Sequence, residues 1–289
     1  MPELPEVEVV KRSLNNKAQN SIIKSIKIND GRLRYKIDKN QIKNIIGLRL
    51  QKILRRSKFL LFFFSKGIVM LIHLGMTGKL FFINKKNTKY KTSFYYDLNE
   101  YKDKKHDRII FGLSRDQKLI YNDVRKFGFI KFLNKINLNK NLHLKNLGPE
   151  PLNKKFSFAY FKRYIRGRNR TTKDILMDQK FVSGLGNIYV NEILFFSGIR
   201  PEKKIKNLLD NDIKKIIKFT KMILLKAIAL GGSSVKNFSS SNGKKGLFQQ
   251  HFSVYGRKGE KCSNKKCRNN IIKIVIANRA SFYCAKCQK

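Results

Sequence analysis

Residues Phe59–Gly75 read FLLFFFSKGIVMLIHLG, the most apolar stretch of the chain. Ser65, Lys66 and Gly67 divide it into two runs, each too short to cross a bilayer. Both halves are rich in aromatic and aliphatic residues, and the break between them supplies turn chemistry. The stretch is therefore expected to form a strand, a turn and a second strand. A chain whose most apolar segment is a hairpin builds its first core from β-sheet.

The pattern extends in both directions. From about Ile22 to Leu133, the runs SIIKSIKI, KLFFI, RIIFGL and KLIYND are separated by Gly, Asn and Lys turns, which predicts a mostly antiparallel β-sandwich or barrel. Ahead of it, Leu4, Val7, Val10 and Leu14 recur at helical spacing after Pro5, a residue suited to a first helical turn. Residues Asn134–Leu152 are polar and end in LGPEPL, which reads as an extended linker. Helical periodicity returns in FSFAYFKRYIRG, TKDILMDQKFV, NIYVNEILFFSG and NDIKKIIKFTKMILLKAIAL, so four helices are expected. Residues 231–250, GGSSVKNFSSSNGKKGLFQQ, carry no hydrophobic period; a loop of that length is more often functional or disordered than merely connective. The expected organisation is α+β and multidomain: a β domain over 1–133, a linker over 134–153, a helical domain over 154–252 that includes the 231–250 loop, and a cysteine-bearing module over 253–289.

Lys and Arg total 64 against 19 Asp and Glu in 289 residues, a formal net charge of +45 that predicts a polyanionic partner, nucleic acid first. A basic membrane-surface protein is one competing reading. A codon bias that inflates Lys, Asn and Ile is another, and Asn134–Asn146 fits it for part of the excess. The first residues are acidic where a signal peptide needs a basic segment and an apolar run, so a cytoplasmic protein with reduced thiols is expected.

All four cysteines fall within Cys262-x4-Cys267-x16-Cys284-x2-Cys287. Two close thiolate pairs bridged by a strand-like run suit one structural, tetrahedral Zn2+; two disulfides are the alternative. Arg257, Lys258, Arg268 and Arg279 decorate that module and suit phosphate contacts. Gly184, Gly186 and Asn187 lie between two helical segments, either as a phosphate seat of backbone amides or as a plain turn. Met76 in HLGMTGKL and Arg125 with Phe127 in VRKFG flank glycine turns. They are either ordinary core and surface residues or wedges that fill the gap left by an everted nucleotide. His73, His106, His143 and His251 show no ligand spacing. Neither a phosphate-binding glycine loop with lysine nor a serine nucleophile elbow is present, so nucleotide cofactors and those enzyme classes fall away.

The opening MPELPEV puts Pro2 where removal of Met1 would expose a secondary amine. An α-amino group titrates near pH ~7.7–8, against ~10.4 for lysine, so a sizeable fraction is an uncharged nucleophile at neutral pH. On attacking a sugar C1′, a proline nitrogen forms an iminium with no proton to lose and remains an electron sink. Glu3 stands beside it as a candidate acid or base. The plainer reading is that Pro2, Glu3, Pro5 and Glu6 only begin a helix and complement its dipole.

MPELPEVE, RRSKFLL, HLGMTGKL, KHDR, VRKFG, LGPEPL, MDQKFVSGLGNIYVNE, GLFQQHFSVYGRKGE and NRASFYCAKCQK, in order over essentially the whole chain, resemble bacterial formamidopyrimidine-DNA glycosylase. The resemblance implies a bifunctional glycosylase and abasic-site lyase acting as a monomer on double-stranded DNA that contains 8-oxoguanine or formamidopyrimidines. It implies an N-terminal β-sandwich with an opening helix, a helix-two-turn-helix domain and a zinc-finger hairpin. It makes Pro2 the Schiff-base nucleophile, Glu3 the proton donor to the sugar, Lys58 the donor for β-elimination and Arg279 that for δ-elimination. His106, Arg125, Arg168 and Asn187 match DNA-contacting positions, and Met76, Arg125 and Phe127 the group that replaces the flipped nucleotide; Arg168 is assigned by its distance from LMDQK. The 231–250 loop corresponds to the segment that closes over the everted base, and a nucleoid-associated place in the cytoplasm follows. Three departures stand out: x4 in the first cysteine pair instead of x2, Arg108 in place of a second histidine in KHDHV, and Val124 and Lys126 in place of the Pro and second Arg of PRRFG. An endonuclease VIII-type glycosylase for oxidised pyrimidines is the nearest rival, although such proteins typically open PEGPE. A non-catalytic zinc-ribbon nucleic-acid-binding protein, for example one bound to ribosomal RNA, would share the cysteines and charge but not the opening or the Lys58 context.

Overall fold

The computed structural model describes residues 1–84, 89–90, 104–233 and 248–289. Most of the expected 231–250 loop lies outside the described residues. The chain divides into two compact units, Met1–Lys145 with Leu230–Gln249, and Asn146–Ala229 with Gln250–Lys289.

The first unit opens with α1 (Leu4–Ala18), which turns Val7, Val10 and Leu14 into a core. Two antiparallel sheets follow. One has the order β1 (Ile23–Ile28), β7 (Asp107–Leu113), β8 (Gln117–Asn122), β5 (Lys79–Ile83), β6 (Lys89–Tyr90); the other runs β2 (Leu50–Arg56), β3 (Phe59–Phe64), β4 (Ile68–His73), β9 (Phe129–Asn134). The expected hairpin is β3 and β4, paired from Phe59↔His73 to Phe63↔Val69, with Lys66 and Gly67 both at positive φ in the turn. It reads as an unbroken apolar run because both of its faces are covered. Leu60, Phe62 and Phe64 enter the main core, which also holds Phe81, Phe111 and Tyr121 of the other sheet. Leu61 and Phe63 join Val69, Leu71 and Phe129 in a second cluster, against which Leu138 and Leu144 pack. A five-residue helix, α2 (Lys39–Lys43), was not expected among the strands; Asp38 caps it by accepting from the backbone N–H groups of Asn40 and Gln41.

The second unit contains the four expected helices, α3 (Phe158–Ile165), α4 (Thr172–Met177), α5 (Asn187–Ser197) and α6 (Asp210–Ala229), and the hairpin β10 (Ile272–Ile276) and β11 (Arg279–Tyr283). Ser157 and Thr171 supply side-chain caps to α3 and α4. Helix α5 is buried on nearly every side, as its apolar composition requires, and ends at Gly198 in the left-handed region.

Candidate active site and nucleic-acid interface

The start of α1 is a reciprocal cap. The backbone N–H of Glu3 donates to Glu6 Oε2 at 2.8 Å while the Glu3 carboxylate accepts from the Glu6 backbone N–H. Glu6 Oε1 also accepts from the backbone N–H and hydroxyl of Ser233, at 2.7 and 3.0 Å. Gly232, at φ +82°, leaves no room for a side chain there, since a Cβ would come within 3.0 Å of that oxygen. Pro2, Glu3 and Glu6 are all buried. Burial pushes the amine at Met1 below its ordinary value; Glu3 and Glu6 oppose that shift, and Lys58 and Arg125 add to it. The amine therefore shares one electrostatic neighbourhood with Glu3, Lys58 and Arg125.

Lys58 occupies the two-residue turn between β2 and β3, where Arg56 pairs with Phe59 and Ser57 takes positive φ. It is buried, with 7% of its surface exposed. The turn is tied back to α1: Arg55 donates from its NH1 to Ser57 O at 2.9 Å and from Nε to Glu8 Oε2 at 2.9 Å. Glu8 also accepts from Lys11 and Arg12. Burial raises the Glu8 carboxyl, but Arg55, Arg12 and Lys11 together hold it below the usual range. One helix thus presents the chain start and anchors the lysine turn.

A cavity of about 520 Å³ in the same unit is lined by Met1, Arg34, His73, Met76, Arg125 and Phe127, among others. Met76 and Phe127 are 41% and 45% exposed, and the Arg125 guanidinium lies 4.4 Å from the Phe127 ring centre. These apolar side chains are therefore not core residues. Their two turns touch through backbone: Gly75 has φ +61°, and a Cβ there would fall 2.4 Å from Gly128 N. Asp123, fully buried, locks them together. It accepts from Thr77 Oγ1 at 2.5 Å and from Gly128 N at 2.9 Å, while the Arg125 N–H donates to Thr77 Oγ1 at 3.0 Å. His73 lines this cavity, stacks on Phe129 and accepts from the Gly75 N–H through Nδ1. Its burial, with the nearby Lys58 and Arg34, lowers its pKa to about 4. His106 precedes β7, with Nδ1 3.2 Å from an Arg108 nitrogen.

In the second unit, Arg168 is exposed after α3, folded over the Tyr164 ring with its Nε donating to Tyr164 O. Asn187 is the first residue of α5, and its Nδ2 donates to Ala280 O at 3.0 Å. Gly184 takes φ +92°, and its N–H donates to Gln179 Oε1. Arg279 is exposed at the end of a two-residue turn formed by Ala277 and Asn278, both at positive φ. The strand behind it is held by Lys173, 1% exposed, whose Nζ donates to Ala280 O at 2.8 Å and Ser281 Oγ at 2.7 Å.

The four cysteines are free thiols, which rules out the disulfide reading. Their Sγ atoms all lie within 4.8 Å of one another, with Cys262–Cys287 at 3.8 Å and Cys267–Cys284 at 3.6 Å. Ligands about 2.3 Å from a tetrahedral zinc would be about 3.8 Å apart, so the x4 spacing closes the site as well as x2 would. The knuckle rests on α5 through Glu192, 1% exposed, whose carboxylate accepts from the N–H groups of Ser253, Val254 and Tyr255 at 2.8, 3.0 and 2.9 Å.

The family model for the formamidopyrimidine-DNA glycosylase N-terminal domain matches residues 1–130, and that for its H2TH domain matches residues 147–239. The chain belongs to this family. Formamidopyrimidine-DNA glycosylase of Rickettsia bellii is 37% identical over 289 residues, covering 100% of both chains, and that of Ruegeria pomeroyi is 36% identical with the same coverage. A crystal structure of a Lactococcus lactis FPG mutant with a Fapy-dG containing DNA matches with a TM-score of 0.84 at 34% identity, over 100% of each chain. A Lactococcus lactis Fpg complex with an abasic site containing DNA matches equally well over 99% of each. As a family member the chain is a base-excision DNA glycosylase, with abasic-site lyase activity as part of the family's chemistry, and its cysteines fit the structural zinc of formamidopyrimidine-DNA glycosylases. Among the described residues, no helix is long and apolar enough to cross a membrane.

Sequence reading missed Glu8, Asp123, Lys173 and Glu192. Glu8 and Glu192 are charged residues among apolar helix neighbours, a local signal that could have marked them; Asp123 and Lys173 carry none.

Proposed function

We propose that this chain excises 8-oxoguanine and formamidopyrimidines from double-stranded DNA through its Pro2 nitrogen and then cuts the strand by β,δ-elimination. The observation that supports the reading is that buried Pro2 and Glu3 follow a Met1 amine whose pKa is lowered by burial and by nearby Lys58 and Arg125. Removal of Met1 converts the Pro2 nitrogen from an amide to a secondary amine. The free base of that amine is the form that attacks. Attack at C1′ forms the nitrogen–carbon bond as the glycosidic bond breaks and the damaged base leaves. Glu3 donates a proton to the sugar as its ring opens, giving the iminium. Loss of a C2′ proton then expels the 3′ phosphate, and a second elimination expels the 5′ phosphate, with Lys58 and Arg279 as the respective proton donors.

His106, Arg125, Arg168 and Asn187 grip the DNA backbone, while Met76, Arg125 and Phe127 occupy the gap left by the flipped nucleotide. The exposure of both apolar side chains beside Arg125 supports that assignment. The enzyme works as a monomer in the cytoplasm, on the nucleoid.

Borohydride reduction on lesion-bearing duplex is expected to yield a covalent adduct that peptide mass spectrometry maps to residue 2 of a chain lacking Met1. An adduct on any other side chain overturns the mechanism. Faster cleavage of a thymine glycol duplex than of an 8-oxoguanine duplex would overturn the substrate class.

A further inference from the structure

Position 108 is a departure from the KHDHV motif: an arginine stands where a second histidine is usual, and Lys126 is a second departure in the neighbouring VRKFG turn. The two meet at one carboxylate. Asp30 Oδ2 accepts from Arg108 NH1 at 3.2 Å and lies 2.8 Å from Lys126 Nζ, while Oδ1 takes Arg32 Nε at 2.9 Å.

Arg108 sits where the pairing of β7 with β8 shifts register between Asp107 and Ile109, an irregularity that re-aims a side chain. Only 5% exposed, it uses its fork in four directions. Nε donates to Asp123 O at 2.8 Å, NH1 to Asp30, and NH2 both to Val124 O at 3.4 Å and to His106 Nδ1 at 3.2 Å. The backbone closes the same loop, since Arg108 O accepts from the N–H groups of Asn29 and Asp30. A histidine here has two ring nitrogens and could meet at most two of those four partners.

We propose that Arg108, braced by Asp30, is a positioning residue that fixes the proton of His106 and the path of the Arg125–Phe127 turn. The proposal rests on the reading above that His106 and Arg125 face DNA. A guanidinium has donors and no acceptor, so Nδ1 of His106 accepts from it and the donor of the ring is Nε2. That is the role a phosphate oxygen requires. On its other side the fork holds the carbonyls of Asp123 and Val124, the two residues immediately before Arg125. The base of the turn is thereby pinned from both directions: by the Asp123 side chain from Thr77 and Gly128, and by its carbonyl from Arg108.

The test uses the full-length, zinc-bound enzyme, comparing affinity for a tetrahydrofuran-containing duplex with that for undamaged duplex. Arg108→Leu is expected to lower this ratio about tenfold, the scale of one hydrogen bond to a charged group. In 15N-resolved NMR, where the chain has only four histidines, the His106 ring is expected as the Nε2–H tautomer in wild type and as a mixture in Arg108→Leu. Asp30→Asn is the sharper arm, and serves where Arg108→Leu fails to fold. Removing a negative charge strengthens binding to all DNA if only electrostatics acts, whereas a loosened brace lowers the ratio. His106→Ala and Arg125→Ala run in parallel. If these two lower the ratio while Arg108→Leu and Asp30→Asn leave both ratio and tautomer unchanged, the positioning role is overturned and the DNA-facing reading survives. If neither His106→Ala nor Arg125→Ala has an effect, both fall.

Discussion

Replacing Glu192 with alanine should loosen the zinc knuckle from its helix. The wild-type carboxylate is buried on α5, and both oxygens are used: Oε2 by Ser253, Oε1 by Val254 and Tyr255. Val254 in turn packs in one cluster with Cys262, Cys267, Cys284 and Phe195. Hydrogen bonds to an ionised acceptor are worth about 1.5–3 kcal/mol each, and three would overstate the loss because they share one group. Burial itself raises the Glu192 carboxyl against the pull of the three N–H donors, so part of their worth offsets desolvation. The expected net cost of Glu192→Ala is about 3–5 kcal/mol: three buried N–H groups lose their acceptor, at about 1–3 kcal/mol each, less the carboxylate desolvation that is relieved. Glu192→Gln should cost less, because its single carbonyl can keep Val254 and Tyr255 while its amide opposes the Ser253 N–H. Urea unfolding, with zinc release followed by a colorimetric chelator, measures both; zinc should leave Glu192→Ala faster than wild type. A Glu192→Ala chain within about 0.5 kcal/mol of wild type, the level of an ordinary surface change, would refute the reasoning. The pH sign gives a second check. A carboxyl whose folded pKa is raised binds its proton more tightly in the folded state, so its contribution declines as pH rises from the unfolded value through the folded one, and Glu192→Gln should flatten that decline.

Elemental analysis should find one zinc per chain, and chelation should abolish lesion binding while leaving the β-sheet circular dichroism of the first unit in place; retained binding would contradict a structural metal. Gly75→Ala should cost at least about 2 kcal/mol, since the new methyl meets the Gly128 backbone at positive φ, and urea midpoints will show it. His73, with its pKa lowered to about 4, should stay neutral when unfolded histidines charge. Stability should therefore fall as pH drops from about 6.5 towards 4, and His73→Phe should remove that slope in acid titrations followed by fluorescence.

Much of this fold is legible in the sequence because its signals are local. The β3–β4 hairpin announces itself through two apolar runs and a Ser-Lys-Gly break, and α3 and α4 through helical periodicity. Helix α2 escaped because five residues of Lys, Asn, Gln and Ile carry no period; a single aspartate cap decides it. In the proposed site, Pro2 and Glu3 stand out in the MPELPEV opening, Lys58 through the RRSKFLL resemblance and the cysteines by their spacing. Asp123, Lys173 and Glu192 do not, because each acquires its role from a distant partner: Thr77 is 46 residues from Asp123, Ser253 is 61 from Glu192, and Ser281 is 108 from Lys173. No window of sequence displays such pairs. Met76 and Phe127 show the converse limit, since apolar residues beside glycine read as core until their exposure is known.

Glu6 divides its two oxygens between the first turn of the chain and Ser233, a residue of the long polar stretch. A change at Gly232 or Ser233 therefore reaches the first turn of α1 directly, because one carboxylate serves both.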